Sequence, residues 1–478
     1  MTAPTGTGTA AETSSGQGLR ANAISTRDLV FFVVAAAAPL TVLAGFLPMV
    51  FLLSGNIAPV GYLIAGIVYA LFAVGFTAMS RHVQDAGAFY AYIRRGLGEI
   101  IGSGAALVAY VGYTLGQIGF CAAAGLFASN ALDTFLGLHV PWGVSAVVLG
   151  ITVGVLSYCK VDIGARVLAV LLLAEVGILF VLAVAIIATG APEGYSLTSF
   201  NPTHWHMSAL GPLLVLTFIV YIGFEQTAIY SEEARDARRT VPRATYIAVG
   251  LLTVVYAFMS WIILMGIGPT RLASAVSSDP TNVIFNINRD FVGSLSTDVM
   301  QILVVTSFFA GVLALQNAGT RYLYTMAREG LVPQKFTRTS PTSGSPTTAA
   351  IAQAAISVIA IAVFALLRFD PYTQVVIWTN TPTLLAVLLL QIGTSVAAVL
   401  FFRKHVTGES LWHRWIAPAL SALLLSGVLV LVTVRLDLLT GLGIAGNTLI
   451  CIPLILAFIF GAARGRHVRR LRRSGEPS

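Results

Sequence analysis

Two glutamates stand where acids are costly. Glu175 lies nine residues beyond Arg166, about 13 Å into an apolar run at 1.5 Å per helical residue. Glu225 lies inside the apolar run holding Tyr221-Ile222-Gly223-Phe224-Glu225-Gln226. An ionisable group at membrane depth is expensive and marks a functional site by default. A carboxylate withdrawn from water prefers its neutral form, so an acid at that depth can exchange a proton as its surroundings change. Glu175 and Glu225 are therefore expected to couple proton movement to function. The structural alternative is two hydrogen-bonded acids that merely tie helices together. Asp133, Asp162, Glu232 and Glu233 fall at helix ends, where solvation accounts for them.

Helix breakers give the second chemical signal. In Ala37-Ala38-Pro39-Leu40-Thr41 the proline removes a donor and crowds the preceding turn. Gly223 interrupts the later run beside Glu225. An interrupted helix leaves backbone groups without internal partners, and such groups bind ions and charged ligand groups. Breaks at corresponding places in two halves of a membrane chain point to a binding site at the midplane. Polar residues on other apolar runs mark candidate walls. Tyr110, Tyr113 and Gln117 follow i, i+3, i+7 on the third run. Thr306, Ser307, Gln316 and Asn317 dot the eighth, and Trp378, Thr379 and Asn380 interrupt the tenth. The expected binding set is Ala37, Pro39, Thr41, Tyr110, Tyr113, Gln117, Tyr221, Gly223, Phe224, Glu225, Ser307 and Trp378. Tyr110 and Phe224 would line or gate the cavity. The spacing Gly112-x3-Gly116 reads instead as close helix contact.

Composition says what positions these groups. The 478 residues are 56% hydrophobic and 10% charged, with a mean hydropathy of +0.85. Soluble domains carry roughly 25% charged residues, so this surface must face lipid, where a helix of about 20 apolar residues spans the core. About twelve such runs occur, near 28–53, 58–80, 98–131, 141–159, 163–189, 207–231, 242–268, 297–325, 347–367, 371–402, 412–434 and 440–462. The prediction is an all-α membrane protein. Arg81, Arg94, Arg95, Lys160, Arg235, Arg238, Arg239, Arg321, Arg328, Arg403 and Lys404 gather on one side, with the tail from Arg464. Only Arg271, Arg289, Arg368 and Arg435 remain on the other. That asymmetry predicts cytoplasmic amino and carboxyl termini in the cell membrane.

Several function classes are excluded or disfavoured. The net charge of +8 sits in short loops, which reports orientation and membrane lipid, not nucleic acid. No GxxxxGK[ST] supplies an ATP engine. No HExxH, nucleophile elbow or cysteine–histidine cluster supports a membrane-embedded enzyme. Cys121, Cys159 and Cys451 are isolated, and His204-Trp205-His206 lacks a third ligand, so neither metal nor cofactor is expected. Residues 1–25 are polar and small without an apolar core, and are expected to be a disordered cytoplasmic tail.

Three segments carry a family likeness. Phe218 to Glu225, followed by Ser231-Glu232-Glu233-Ala234-Arg235-Asp236-Ala237-Arg238-Arg239-Thr240-Val241-Pro242, resembles the sixth-helix signature of amino acid–polyamine–organocation permeases. Ala86-Gly87-Ala88-Phe89-Tyr90-Ala91-Tyr92 is similar to the family's loop between helices two and three. Asn317 to Pro333, with Arg321, Arg328 and Gly330, resembles its loop after helix eight. The resemblance implies a LeuT-type inverted repeat of five and five helices over 26–403. Two peripheral helices follow over 404–463, then a basic tail over 464–478. It implies binding where helices one and six unwind, on Tyr221, Gly223, Phe224 and Glu225, with helices three, eight and ten contributing. It also puts Glu175 where sodium-coupled relatives hold an ion, which favours protons over sodium. Where the family often has a Gly-x-Gly stretch, this chain has Ala37-Ala38-Pro39-Leu40-Thr41, which leaves a polyamine or other amine open beside an amino acid. The expected function is a secondary transporter, by proton symport or by exchange. A ligand-sensing receptor on the same scaffold is the alternative class.

Overall fold

A computed structural model describes residues 24–83, 87–159, 165–205, 207–231, 234–340, 345–405 and 408–474. Most of the expected amino-terminal tail lies outside the described residues, as do Ala86, Lys160, Asp162, His206, Glu232 and Glu233. Ile24 and Ser25, the described end of that tail, are held in place. Ile24 bridges to Ala234, and Ser25 caps the first helix by accepting from the Asp28 amide at 3.3 Å. The Asp28 carboxylate returns a bond to the Ser25 amide at 3.0 Å, which completes a capping box.

The chain is an all-α, multi-pass membrane protein. Ten described stretches are long and apolar enough to cross a membrane, and one of these, Thr26–His82, is 57 residues long. That stretch is two crossings, because Gly55 at φ 60° turns the chain. The first runs over residues 26–54 and the second over Ala58–His82. The third is Glu99–Leu136, the fourth Trp142–Cys159 and the fifth Ala165–Thr189. The sixth is broken into Met207–Ile219 and Gln226–Ile229, each piece too short to span. The seventh is Ala237–Ile267, the eighth Ser294–Arg328, the ninth Thr347–Leu366 and the tenth Ile377–Lys404. Ala417–Val434 and Ile444–Ser474 complete the set. The loop after the seventh crossing folds into two short helices, Leu272–Ser278 and Val283–Phe291.

Leu173, Phe180, Leu366 and Leu423 are well exposed on the flanks of the bundle. In water so many exposed apolar side chains would drive association; against lipid tails they cost nothing. Tyr62, Tyr69, Phe72, Phe76, Tyr113 and Tyr221 are fully buried inside.

The third crossing is the central post, and glycine decides how closely its neighbours approach. A Cβ at Gly112 would stand 2.8 Å from the Ala386 methyl, and one at Gly119 would meet Asn380 Nδ2 at 2.3 Å. Thr383 then reaches the Gly112 carbonyl with its hydroxyl at 3.0 Å. Further along, Gly104 receives the ring of Phe458, and Gly461 receives the Ser103 carbonyl. Close contact is thus the use of the Gly112-x3-Gly116 spacing, against the tenth crossing on one side, with the twelfth packed nearby.

Candidate functional site

The first crossing breaks at Ala38, which adopts the left-handed conformation (φ 47°, ψ 68°). That conformation costs an L-residue roughly 1–2 kcal/mol, and here no glycine relieves it. Pro39 follows, so the next available amide is that of Leu40. A short helical turn, Pro39–Thr41, then widens into a π turn over Val42–Phe46 before regular helix resumes. The sixth crossing stops at Ile219 and passes through successive tight turns. Gly223 takes φ 124°, a conformation that side chains rarely allow.

Each break is tied by one glutamate. Glu175, 4% exposed, accepts from the Ser307 hydroxyl at 2.8 Å and from the Leu40 backbone amide. The fifth, eighth and first crossings meet at that carboxylate. Glu225, fully buried, accepts from the Gly223 amide at 2.9 Å and from the hydroxyl of Tyr113. The third and sixth crossings meet there. A broken helix must place its orphaned donors somewhere when no water is at hand, and two carboxylates supply acceptors for one amide at each break.

Of the twelve residues expected to bind, the structure gathers some and separates others. Ala37, Pro39, Thr41, Tyr113, Gly223, Glu225 and Ser307 lie at the two breaks or at the glutamates that tie them. Tyr110 is partly exposed on the third crossing, one turn from Tyr113. Gln117 turns elsewhere. Its side chain donates to Gln316 at 2.8 Å and accepts from Gln353 at 2.7 Å, joining the third, eighth and ninth crossings. Gly319 makes room for this network, since a Cβ there would meet Gln353 at 2.7 Å. Tyr221 also points outward from the break, donating to the Tyr62 carbonyl at 2.8 Å. Phe224 packs its ring on Tyr69 and Phe72 of the second crossing, with centroids 5.2 and 6.0 Å apart. That contact anchors the unwound segment on the second crossing. Trp378 donates its indole to the Thr440 carbonyl at 3.0 Å and stacks edgewise on Phe369, away from both breaks.

Other participants were not singled out from the sequence. Tyr256 donates to the Ala37 carbonyl at 3.0 Å, and Tyr372 donates to the Gly45 carbonyl. Phe120 lies against Gly311, facing Phe46 and Phe308 at 5.7 and 6.0 Å. A buried tyrosine in an apolar run needs a partner for its hydroxyl, which was the available signal; the sequence does not say which partner.

The two broken crossings are fastened to each other at the arginine-rich end. The Arg235 amide donates to the Ile24 carbonyl at 2.8 Å, and Phe32 stacks on Tyr230 at 5.9 Å. The Arg321 guanidinium covers that tyrosine ring at 4.6 Å. Beyond the breaks, the first, sixth and tenth crossings enclose a small cavity of about 20 Å³, lined by Gly45, Phe46, Met49, Ile219, Tyr372 and Asn380 among others. Its wall is almost wholly apolar and holds no ionisable acid or base except the Tyr372 phenol.

Two interrupted helices, side by side at the centre of a multi-pass bundle and each held by a buried acid, define the broken-helix class of membrane proteins. The chain matches the amino acid permease family over residues 24–460 and belongs to it. It is 26% identical to a branched-chain amino acid permease of Lactococcus lactis subsp. cremoris, over 57% of this chain and 61% of that protein. It is 27% identical to an L-lysine transport protein of Corynebacterium glutamicum, over 67% of this chain and 64% of that protein. An uncharacterized transporter of Mycobacterium tuberculosis is 26% identical over 59% of this chain and 60% of its own length. The chain thus spans about three fifths of the length of the curated relatives it matches. Family and relatives point away from an enzyme.

Proposed function

We propose that the protein is a secondary transporter of an amino acid or closely related small amine, driven by protons and working by alternating access. The observation that carries this reading is the tie between a buried carboxylate and the backbone amide at each helix break. An ionised carboxylate accepts from an amide about twice as strongly as a neutral group does. Protonating Glu175 therefore loosens its hold on Leu40, and protonating Glu225 loosens its hold on Gly223. The amides so released suit a substrate carboxylate, which gives proton and substrate a reason to bind together. The names of two relatives, for branched-chain amino acids and for lysine, support the substrate class. Glu175, Ser307 and the Leu40 amide form the proton site in this reading, and a sodium ion is not needed there.

The reading extends to the whole chain. Residues 26–403 form the transporting core as two repeats of five crossings, and 404–463 form a peripheral pair. Both termini, with the basic tail over 464–478, face the cytoplasm, because loop arginines cluster at that end.

The test is uptake into proteoliposomes with and without an inward proton gradient. The gradient should accelerate amino acid uptake by the wild-type protein, and Glu175→Gln should take up substrate at a rate indifferent to the gradient. Gradient-driven accumulation by Glu175→Gln at the wild-type level would remove Glu175 from coupling. Uptake by the wild type that responds only to substrate inside the vesicle would favour exchange over symport.

Thr41 offers a second check. Its side chain is fully buried one turn beyond the break, and its hydroxyl has no hydrogen-bond partner among the described residues. A buried hydroxyl without a partner is a liability of about 1–3 kcal/mol to the fold. Thr41→Val should leave the melting temperature unchanged or higher while raising the substrate KM several-fold. A KM equal to wild type would take Thr41 out of the binding set.

A further inference from the structure

The corner between the short helix Phe89–Leu97 and the third crossing carries two concave features on alternating residues. Arg94, Arg95 and Glu99 join Arg328, Glu329 and Arg472 around an open pocket of about 640 Å³ at the arginine-rich end. Within it Arg94 pairs with Glu329 at 2.6 Å and Arg472 with Glu99 at 3.3 Å. Among the described residues that line it, the pocket holds four arginines and two glutamates. Arg95 is exposed and makes no ion pair or hydrogen bond among the described residues. Interleaved with these, Ile93, Leu97 and Ile101 join Leu390, Leu454 and Phe458 around an apolar groove of about 420 Å³ between the third, tenth and twelfth crossings. The twelfth crossing takes part in both. It runs on past the apolar span, packs through Gly461 and Gly465 on Ser103, and so delivers Arg472 to the pocket.

A pocket lined by arginines suits a phosphate group, which arginine holds in bidentate fashion. That chemistry is shared by a lipid headgroup and a soluble phosphate. The apolar groove at the same corner decides between them, because only a lipid brings a hydrocarbon chain with its phosphate. We propose that this corner is a binding site for an anionic phospholipid of the adjoining leaflet, its phosphate in the arginine pocket and one acyl chain in the groove. Arg94 and Glu329 also belong to the loops after the second and eighth crossings, so an occupied site would brace the arginine-rich end. The inference stands apart from the transport reading and from the glutamates that carry it.

The experiment counts phosphatidylglycerol and phosphatidylcholine bound to the delipidated full chain by native mass spectrometry. Wild type should prefer phosphatidylglycerol. Each basic residue near an anionic headgroup is worth roughly fivefold in binding, so Arg95→Gln should lose about that factor. Adding Arg328→Gln should abolish the preference. Arg95 is read first because the fold does not use its side chain. Arg289→Gln, an exposed change of equal charge in the loop before the eighth crossing, should leave the preference intact. Ile101→Trp, which fills the groove, should weaken both lipids alike. Overturning results are a preference that survives both arginine changes, or equal loss in Arg289→Gln. Displacement of phosphatidylglycerol by millimolar inorganic phosphate, with no effect of Ile101→Trp, would assign the pocket to a soluble anion and overturn the lipid.

Discussion

Replacing Glu225 with alanine is expected to lower amino acid uptake by about 100-fold or more in protein that still inserts. The change strands two buried donors at once, the Gly223 amide and the Tyr113 hydroxyl. Leaving a buried donor without an acceptor costs about 1–3 kcal/mol, and every 1.4 kcal/mol is tenfold in an equilibrium. The cost falls on the break itself, where Gly223 already occupies a conformation closed to other residues. Glu225→Gln separates the two roles of the side chain. It keeps one acceptor oxygen and the volume, so the break should persist while the site can no longer gain or lose a proton. Uptake by Glu225→Gln should be intermediate and keep only the pH dependence that Glu175 supplies. Uptake by Glu225→Ala within a few-fold of wild type would show that the carboxylate does not govern the sixth-crossing break.

The largest effect on stability is expected at Gly96→Ala. A Cβ there would stand 2.4 Å from the Ala397 carbonyl oxygen and 2.5 Å from its Cα. The obstacle is the backbone of the tenth crossing, which cannot rotate aside as a side chain can. Overpacking of this kind costs up to about 3 kcal/mol. It also lifts the helix Phe89–Leu97 from its seat, where the Gly393 backbone meets Ile93. The measurement is the fraction of detergent-purified protein that runs as a single species, with its melting temperature. Gly177→Ala is the control, because no atom lies within 4 Å of a Cβ there and its backbone is ordinary helix. That change should be neutral or stabilising. Equal behaviour of the two variants would mean that the tenth crossing can yield at Ala397.

Much of this protein is legible in its residues taken one after another. Apolar length and scarcity of charge require a bundle of membrane helices, because unpaired backbone is not tolerated in lipid. Arginine placement separates the two ends. Pro39 and Gly223 locate the breaks, since each is a local property of a backbone that cannot continue a helix. The depth of Glu175 and Glu225 follows from counting along a helix of fixed rise. Even the lack of a glycine beside Pro39 is visible, though not that Ala38 would take the left-handed turn.

Tertiary structure alone decided which side chains meet. Glu175 and Ser307 are 132 positions apart, and nothing local says that one hydroxyl of the eighth crossing, and not Thr306 beside it, turns to that acid. Tyr113 and Gln117 share a helical face by spacing, yet one reaches Glu225 and the other Gln353. Over four residues along the third crossing the neighbouring helix changes from the sixth to the eighth and ninth. Phe224 and Trp378 illustrate the same limit, drawn to Tyr69 and to the Thr440 carbonyl. In a soluble helix an apolar stripe tells which side faces the core. In this bundle the lipid face and the protein face are both apolar, so the pattern that would orient each helix is erased. Rotation and crossing angle are then set by where glycine permits approach and where a polar group finds a partner, and both require the neighbouring helix to be known.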